Sequence, residues 1–355
     1  MNKKIKVALV GVGNCASSLV QGVSFYSQNR NVKTGLMHEN FSGYEVSDIE
    51  FVAAFDVDKR KVGQDLSKAI LQAPNCTKKF QDVEYLNTKV MKGPVLDGVA
   101  LHMKEYFLVD TNQEPIDVAS ELIKSEAEIL ICYLPVGSAE ASRFYANEAL
   151  KAGVGFINAI PEFICSDQEW IKKFKEKGLP CAGDDIKSQF GATILHRILA
   201  RLIEDRGHKI DNMYQLNIGG NTDFLNMKDE SRIVSKRISK TNAVTSILEN
   251  KEFGLRIGPS DYVPHLNDNK VCYINIKGKQ FGDLPFELDV KLSVEDSPNS
   301  AGVMVDVIRA MKTAIDRKMS GNMEAISVYC FKSPAVQYRD DIARKMVEDF
   351  VNFKN

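Results

Sequence analysis

Six residues, Gly11-Val-Gly13-Asn-Cys-Ala16, constrain this chain more than any other feature of it. They spell G-x-G-x-x-A and stand between a short apolar, β-branched run, Ile5-Lys-Val-Ala-Leu-Val10, and a segment with helical spacing over 16–26. Strand, glycine turn and helix in that order make a phosphate-binding unit. The first glycine permits the tight turn, and the second lets a diphosphate approach the N–H donors of the helix start. The small Ala16 allows close packing of helix on strand. Asn14 and Cys15 fall within the same turn and share its candidacy.

The alternation of strand and helix recurs downstream. Phe51-Val-Ala-Ala-Phe55, Glu128-Ile-Leu-Ile-Cys-Tyr-Leu134 and Phe156-Ile-Asn158 read as buried strands, and helical spacing covers 59–72, 117–126, 138–152 and 167–177. Apolar strands alternating with helices predict a parallel sheet covered on both faces, an α/β Rossmann domain. Asp56 closes the second strand, where an acid binds the adenosine ribose hydroxyls and disfavours a 2′-phosphate, so the sequence predicts NAD. Its distance from Gly13 exceeds the usual ~20 residues, which makes 27–49 an insertion. The competing account has Asp56 and Asp58 merely capping the next helix. Leu134-Pro-Val-Gly-Ser138 and Asn158-Ala-Ile-Pro161 follow their strands at the sheet edge where ligands bind. Leu134, Pro135, Gly137, Ser138 and Ala159 are therefore cofactor candidates, with ordinary loop punctuation as the alternative.

Past about residue 210 the pattern changes. Met213–Ile218, Val271–Lys277 and Phe286–Val294 alternate apolar with polar residues, as an antiparallel sheet with one solvated face does. A helix over 299–318 puts Met304, Ile308, Met311 and Ile315 on one face, with Asp296 or Ser297 as its cap. An α+β domain is thus inserted after the Rossmann unit. A length of 355 residues fits two cores better than one.

Composition removes other classes. With 46 basic and 47 acidic side chains the formal charge is −1, and no basic block could track a nucleic-acid backbone. No stretch reaches the ~20 apolar residues of a membrane span. The start of the chain lacks the small residue before Cys15 that a lipoprotein leader needs. Seven scattered cysteines without a CxxC pair suit a reducing, cytoplasmic setting.

Polar chemistry concentrates in a few places. Gly183-Asp-Asp-Ile-Lys-Ser-Gln189 packs acids, a cation and hydroxyl near the expected cofactor edge, although a helix capped by Asp184 or Asp185 would also explain it. Lys236 and Lys240 stand four apart in Ser235-Lys-Arg-Ile-Ser-Lys240, where an anion would relieve their repulsion; a solvated face is the plainer account. Lys270 follows the polar loop Asn267-Asp-Asn269, and Lys332 is flanked by Val328-Tyr-Cys-Phe331 and Ser333-Pro334. Ammonium groups in such settings hold a phosphate, donate a proton or stabilise an enolate. No H-E-x-x-H, G-x-S-x-G or P-loop competes, and His196, His208 and His265 are scattered.

Taken together these motifs resemble the inositol-3-phosphate synthase family in its shorter prokaryotic form. Along nearly the whole chain, Val10–Gly22, Ala54–Asp58, Tyr133–Ser138, Gly183–Gln189, Leu216–Asn226, Ser235–Lys240, Ile257–Asp261, Glu295–Ser300 and Lys332–Pro334 carry the likeness. The resemblance implies conversion of D-glucose 6-phosphate to 1D-myo-inositol 3-phosphate by NAD-dependent oxidation, enolisation, intramolecular aldol cyclisation and reduction. It places the protein in inositol and phospholipid biosynthesis. It makes Lys236, Lys240, Lys270 and Lys332 the catalytic lysines, oriented by Asp261, Asp296 and Asn221, with Asp185, Lys187 and Ser188 at the cofactor boundary. It implies a homotetramer, an NAD-binding domain over 1–205, a catalytic and tetramerisation domain over 206–310, and a segment over 311–355 that returns to the first domain. Some members of the family use a divalent cation beside the cofactor pyrophosphate and others do not. Two other readings share the cofactor motifs. An ordinary NAD-dependent dehydrogenase would accumulate NADH, and a non-catalytic NAD-binding regulator would lack substrate-facing lysines.

Overall fold

The computed structural model describes residues 4–229, 234–249 and 252–353. Strands β1 (Ile5–Val10), β2 (Ile49–Asp56), β3 (Val90–Lys92), β4 (Ile129–Cys132), β5 (Gly155–Asn158) and β6 (Pro180–Ala182) pair in parallel, joined at the outer edge by the short strand Gly321–Asn322. The spatial order places β1 between β2 and β4. The chain leaves β1 in one direction and resumes at β4 in the other, so a crevice opens above the C-terminal ends of these strands.

Local chemistry sets the helices. Helix α1 (Asn14–Gln28) starts at Gly13, and α2 (Leu66–Ala69) is a single turn capped by Asp65. Helices α3 (Val118–Lys124), α4 (Ala139–Ala152) and α5 (Gln168–Glu176) cover one sheet face, with Asp117 and Asp167 accepting from the first-turn N–H groups of α3 and α5. The expected helix over 59–72 therefore shrinks to α2. The Asp58 carbonyl and carboxylate hold 60–62 in a turn, and Gly63, at φ +88°, takes a conformation that an L side chain resists.

Helix α6 (Ala192–Asp205), absent from the sequence expectation, leads into the second sheet. Strand β7 (Lys209–Gly219) is followed by α7 (Thr222–Asn226) and α8 (Val234–Thr245), then β8 (Gly254–Tyr262), β9 (Asn269–Lys279) and β10 (Pro285–Glu295). The order is β10-β9-β7-β8. β9 pairs antiparallel with β7 and β10, but β8 pairs parallel to β7, so the sheet is mixed rather than antiparallel. A parallel neighbour needs a crossover, which α7 and α8 supply.

Helix α9 (Asp296–Asp316) follows β10 without a loop and packs on α1 beneath the first sheet, sharing a core with Leu19, Val20 and Ile131. Re-entry to the first layer thus begins at Asp296, ahead of the expected 311. Each fully buried Met304, Ile308 or Met311 contributes roughly 1.5–3 kcal/mol by burial. The edge strand Gly321–Asn322, now β11, α10 (Glu324–Cys330) and α11 (Asp340–Val351) complete the chain. The insertion over 27–49 lies against α9 and α11, where buried Arg309 donates to the carbonyls of His38, Glu39 and Tyr44. No described helix is long and apolar enough to cross a membrane.

Candidate functional site

Gly11 sits at φ +87°, and a Cβ there would stand 2.6 Å from the Tyr133 carbonyl oxygen. The turn therefore presses directly on the start of the loop after β4. A Cβ at Gly13 would meet nothing within 4 Å, so the space in front of α1 is open. Gly13 and Ser138 stand at the N-caps of α1 and α4 without a side-chain cap. At α4 the Asp97 carboxylate accepts from Glu140 N and Ala141 N instead, so it is the N-terminus of α1 that presents uncapped N–H groups to the crevice, which suits an anionic diphosphate. Asp56 Oδ2 accepts from Val12 N at 2.7 Å while Oδ1 accepts from Val57 N and Asp58 N. The acid at the end of β2 holds the glycine turn from below and faces the cleft. Asn14 Oδ1 accepts from Cys76 N and Thr77 N at 2.8 and 3.1 Å, fixing a loop beside the turn. Burial, then the nearby Asp296, Asp268 and Asp223 carboxylates, pushes the Cys15 thiol up to about 12, so it is a neutral lining group.

Cations line the same cavity. Segment 183–187 runs beside 330–333: Lys332 N donates to Asp185 O at 2.7 Å, Ser333 N to Asp184 O, and Lys187 N to Cys330 O. This pairing brings Lys332 Nζ to 2.8 Å from Asp185 Oδ1 and 2.7 Å from Ile186 O. Asp185 Oδ2 accepts from Ser239 Oγ of α8 at 2.6 Å, so one carboxylate ties three distant stretches together. Across the cleft, Lys270 Nζ donates to Asp296 Oδ1 at 2.8 Å. Burial opposes the charge on Lys270, but the Asp296 carboxylate outweighs it and the pKa is raised.

Asp296 and Ser297 do not cap α9. Glu295 occupies the N-cap without a side-chain bond, Asp296 faces Lys270, and Ser297 Oγ donates to Asp268 Oδ1 at 2.9 Å. Asp268 also accepts from Asn221 Nδ2 at 3.0 Å and from Thr77 Oγ1 at 3.3 Å. It thereby connects α7, α9 and the loop beside the glycine turn. Burial, with Asp296 nearby, pushes its carboxyl up to about 6. Asp184 likewise caps no helix. It is fully buried, accepts from Asn158 Nδ2, Ile164 N, Cys165 N and Ser166 Oγ, and is raised to about 6 by burial.

One cavity of about 300 Å³ gathers most of the expected residues: Gly11, Gly13, Asn14, Cys15, Asp56, Leu134, Pro135, Ser138, Ala159, Asp185, Ser188, Asn221, Lys270, Asp296 and Lys332. Ala16 lies behind the turn, fully buried, and Gly137 supplies a turn at φ +86°. Lys187 does not reach the cleft. Its Nζ donates to Val328 O at 2.9 Å, and burial lowers it to about 8, so it fastens α10 instead. Asp261 is exposed on β8 outside the cavity and bonds its neighbour Tyr262 N. Lys236 and Lys240 lie on α8, but their side chains fall outside the described residues. Asp268, Ser297, Thr77 and Lys61 escaped sequence reasoning; the Asn267-Asp-Asn269 loop was the one visible signal for Asp268. Among the described residues no group of three or more His, Cys, Asp or Glu is placed to hold a metal ion.

Fold and cleft define a two-domain Rossmann-type enzyme in which lysine–carboxylate pairs share one cavity with a glycine turn. The model of the myo-inositol-1-phosphate synthase family matches residues 191–297. An inositol-3-phosphate synthase from Mycolicibacterium smegmatis is 52% identical, with 98% of each chain covered. Another from Corynebacterium glutamicum is 50% identical over 98% of each chain. The crystal structure of Ari2 superimposes with a TM-score of 0.81 at 32% identity, covering 99% of both chains. The chain belongs to the myo-inositol-1-phosphate synthase family.

Proposed function

We propose that this chain isomerises D-glucose 6-phosphate to 1D-myo-inositol 3-phosphate, using NAD as a cofactor that ends each turnover in the form in which it began. The observation that carries the reading is the enclosure of the Lys270–Asp296 and Lys332–Asp185 pairs in one cavity with the glycine turn. Neither pair serves an exposed surface, where it would contribute little. Bound NAD supplies reversible hydride transfer with the sugar.

The chain's own groups supply the rest. Lys332, poised between a carboxylate and a carbonyl, moves the proton of the enolisation step and steadies the resulting oxyanion. Lys270, kept charged by Asp296, holds the substrate phosphate or the aldehyde oxygen that must be polarised for ring closure. Asn221 and Asp296 orient these cations. Lys236 and Lys240 enter through family likeness as partners on α8, a helix anchored at Asp185 through Ser239. A closed two-domain cleft keeps water from the enolate. Asp261 and Lys187 keep places outside the reacting region.

We further propose a homotetramer assembled through the second sheet. Ile198 and Leu202 on α6 are 51% and 53% exposed, and Leu288, Val290 and Leu292 of β10 are only half-buried, apolar surface that association would cover. A cytoplasmic location is supported by seven free cysteines. The test of function is direct: purified protein with NAD and glucose 6-phosphate, followed by phosphorus NMR for inositol monophosphate and by absorbance for NADH.

A further inference from the structure

Lys61 is 1% exposed, yet it lines the cleft beside Gly11 and Gly13. Its Nζ donates to Val12 O at 2.8 Å and to Asn75 Oδ1 at 3.0 Å. Asn75 Nδ2 donates to the same Val12 O at 3.0 Å. The peptide groups around Val12 are therefore clamped on two sides, the N–H by Asp56 and the C=O by Lys61 and Asn75. An ammonium carries three donors, and no third acceptor for this one stands among the described residues.

Charge accounting singles this group out. Three described lysines line the cavity, and two of them, Lys270 and Lys332, hold a carboxylate at 2.8 Å. Lys61 has no carboxylate at ion-pair distance among the described residues. Asp58 is committed to Arg60, and the Asp56 oxygens accept from backbone N–H groups. Burial pulls the Lys61 pKa down despite the fields of Asp56 and Asp58. A buried ammonium without a counter-ion is costly, and an anion arriving in front of it removes that cost. The Val12 carbonyl would otherwise turn a negative end toward the anion site; Lys61 neutralises it.

We propose that Lys61 is a cofactor-binding residue whose third N–H and charge engage the diphosphate bridge of the dinucleotide. The assignment rests on the dinucleotide function proposed above and adds a contact outside the glycine turn. No bond forms or breaks in it.

The experiment is calorimetric titration of the full chain and its Lys61→Met variant with NAD, NADP and adenosine at two salt concentrations. The expected result is about a tenfold or greater loss of NAD affinity in the variant, a shallower salt dependence and adenosine binding within about twofold of wild type. The melting temperature without cofactor stays level or rises, because an unpaired buried charge has gone. Unchanged NAD affinity overturns the proposal, and so does an equal loss for NAD and adenosine, which would mark a purely structural role. A larger loss for NADP than for NAD would move the contact to the 2′-position and also overturn it. Should Lys61→Met fail to fold, Lys61→Gln keeps a donor for Val12 O without the charge. It should show the same NAD loss, and wild-type affinity in it would contradict the charge argument. Wild-type protein that binds no NAD removes the parent function as well; equal binding by wild type and variant removes only Lys61.

Discussion

Lys332 Nζ and Asp185 Oδ1 lie 2.8 Å apart although 147 residues separate them in the sequence. The contact joins the C-terminal segment to the loop after β6, and through Ser239 it also reaches α8 of the second unit. Both partners are mostly buried, with side chains 13% and 5% exposed. Breaking such a pair from one side leaves the other charge stranded.

Lys332→Ala should therefore lower kcat by about 100-fold or more, the range of a lost proton-transfer group, while NAD still binds. It should also cost roughly 3 kcal/mol of stability, which Lys332→Ala/Asp185→Asn should partly restore. Single-turnover kinetics, NAD titration and denaturant melts on the three proteins check this. A near-normal rate in the single variant removes Lys332 from the chemistry.

Gly11→Ala meets two obstacles at once, a φ of +87° and a carbonyl oxygen 2.6 Å from the new Cβ. The variant should lose NAD affinity by at least tenfold and about 1–3 kcal/mol of stability. Titration and thermal unfolding measure both. Wild-type affinity would mean that the turn is not where the cofactor docks.

Acid–base behaviour gives a separate handle. Asp268 rises from 3.8 to about 6 because it is buried and stands near Asp296. A carboxyl with a raised folded pKa favours the native state at low pH, fully so below its unfolded value, and that contribution disappears as pH climbs through about 6. Asp268→Asn should flatten the stability curve between about pH 4 and 6 relative to wild type. His38 is also raised, first by its hydrogen bond to Asp306 at 2.5 Å. Its contribution is complete below the unfolded value of 6.5 and fades as pH rises through the higher folded one, so His38→Asn should remove a loss of stability on the alkaline side. Denaturant melts across pH for both variants decide the matter; parallel curves would contradict it.

Leu202→Glu places a charge on the exposed apolar face of α6. Sedimentation should show wild type as a tetramer and the variant as a smaller species with an intact far-ultraviolet spectrum. A tetrameric variant would put the interface elsewhere.

The Rossmann half was legible because its signals are local: an apolar run, a glycine turn and a helix adjoin one another in Ile5–Gln28. What depends on tertiary placement was not. In a regular strand Asp261 would share the face of buried Ile257, two alternations away. However, β8 carries an extra residue opposite the step from Asn217 to Ile218, so Asn217 pairs with Pro259 and Ile218 with Asp261, and the bulge changes the face. Lys187 shares a short motif with Asp185, yet Asp185 takes a φ of 59° that bends the chain between them, and the lysine ends against Val328. Strand β8 was hidden by Gly258 and Pro259, which blur its alternation. Asp268 shows only as part of a polar loop and Lys61 has no motif at all; the approach of Thr77, Ser297 and Val12 reveals them.

The central claim is that this lysine-lined cleft isomerises a sugar phosphate without net redox change. It is tested most directly by supplying NAD-loaded protein with excess glucose 6-phosphate and counting inositol monophosphate against NADH over many turnovers. The account predicts product far above the enzyme concentration with no accumulated NADH. Unchanged hexose phosphate, or NADH formed mole for mole with product, would contradict it.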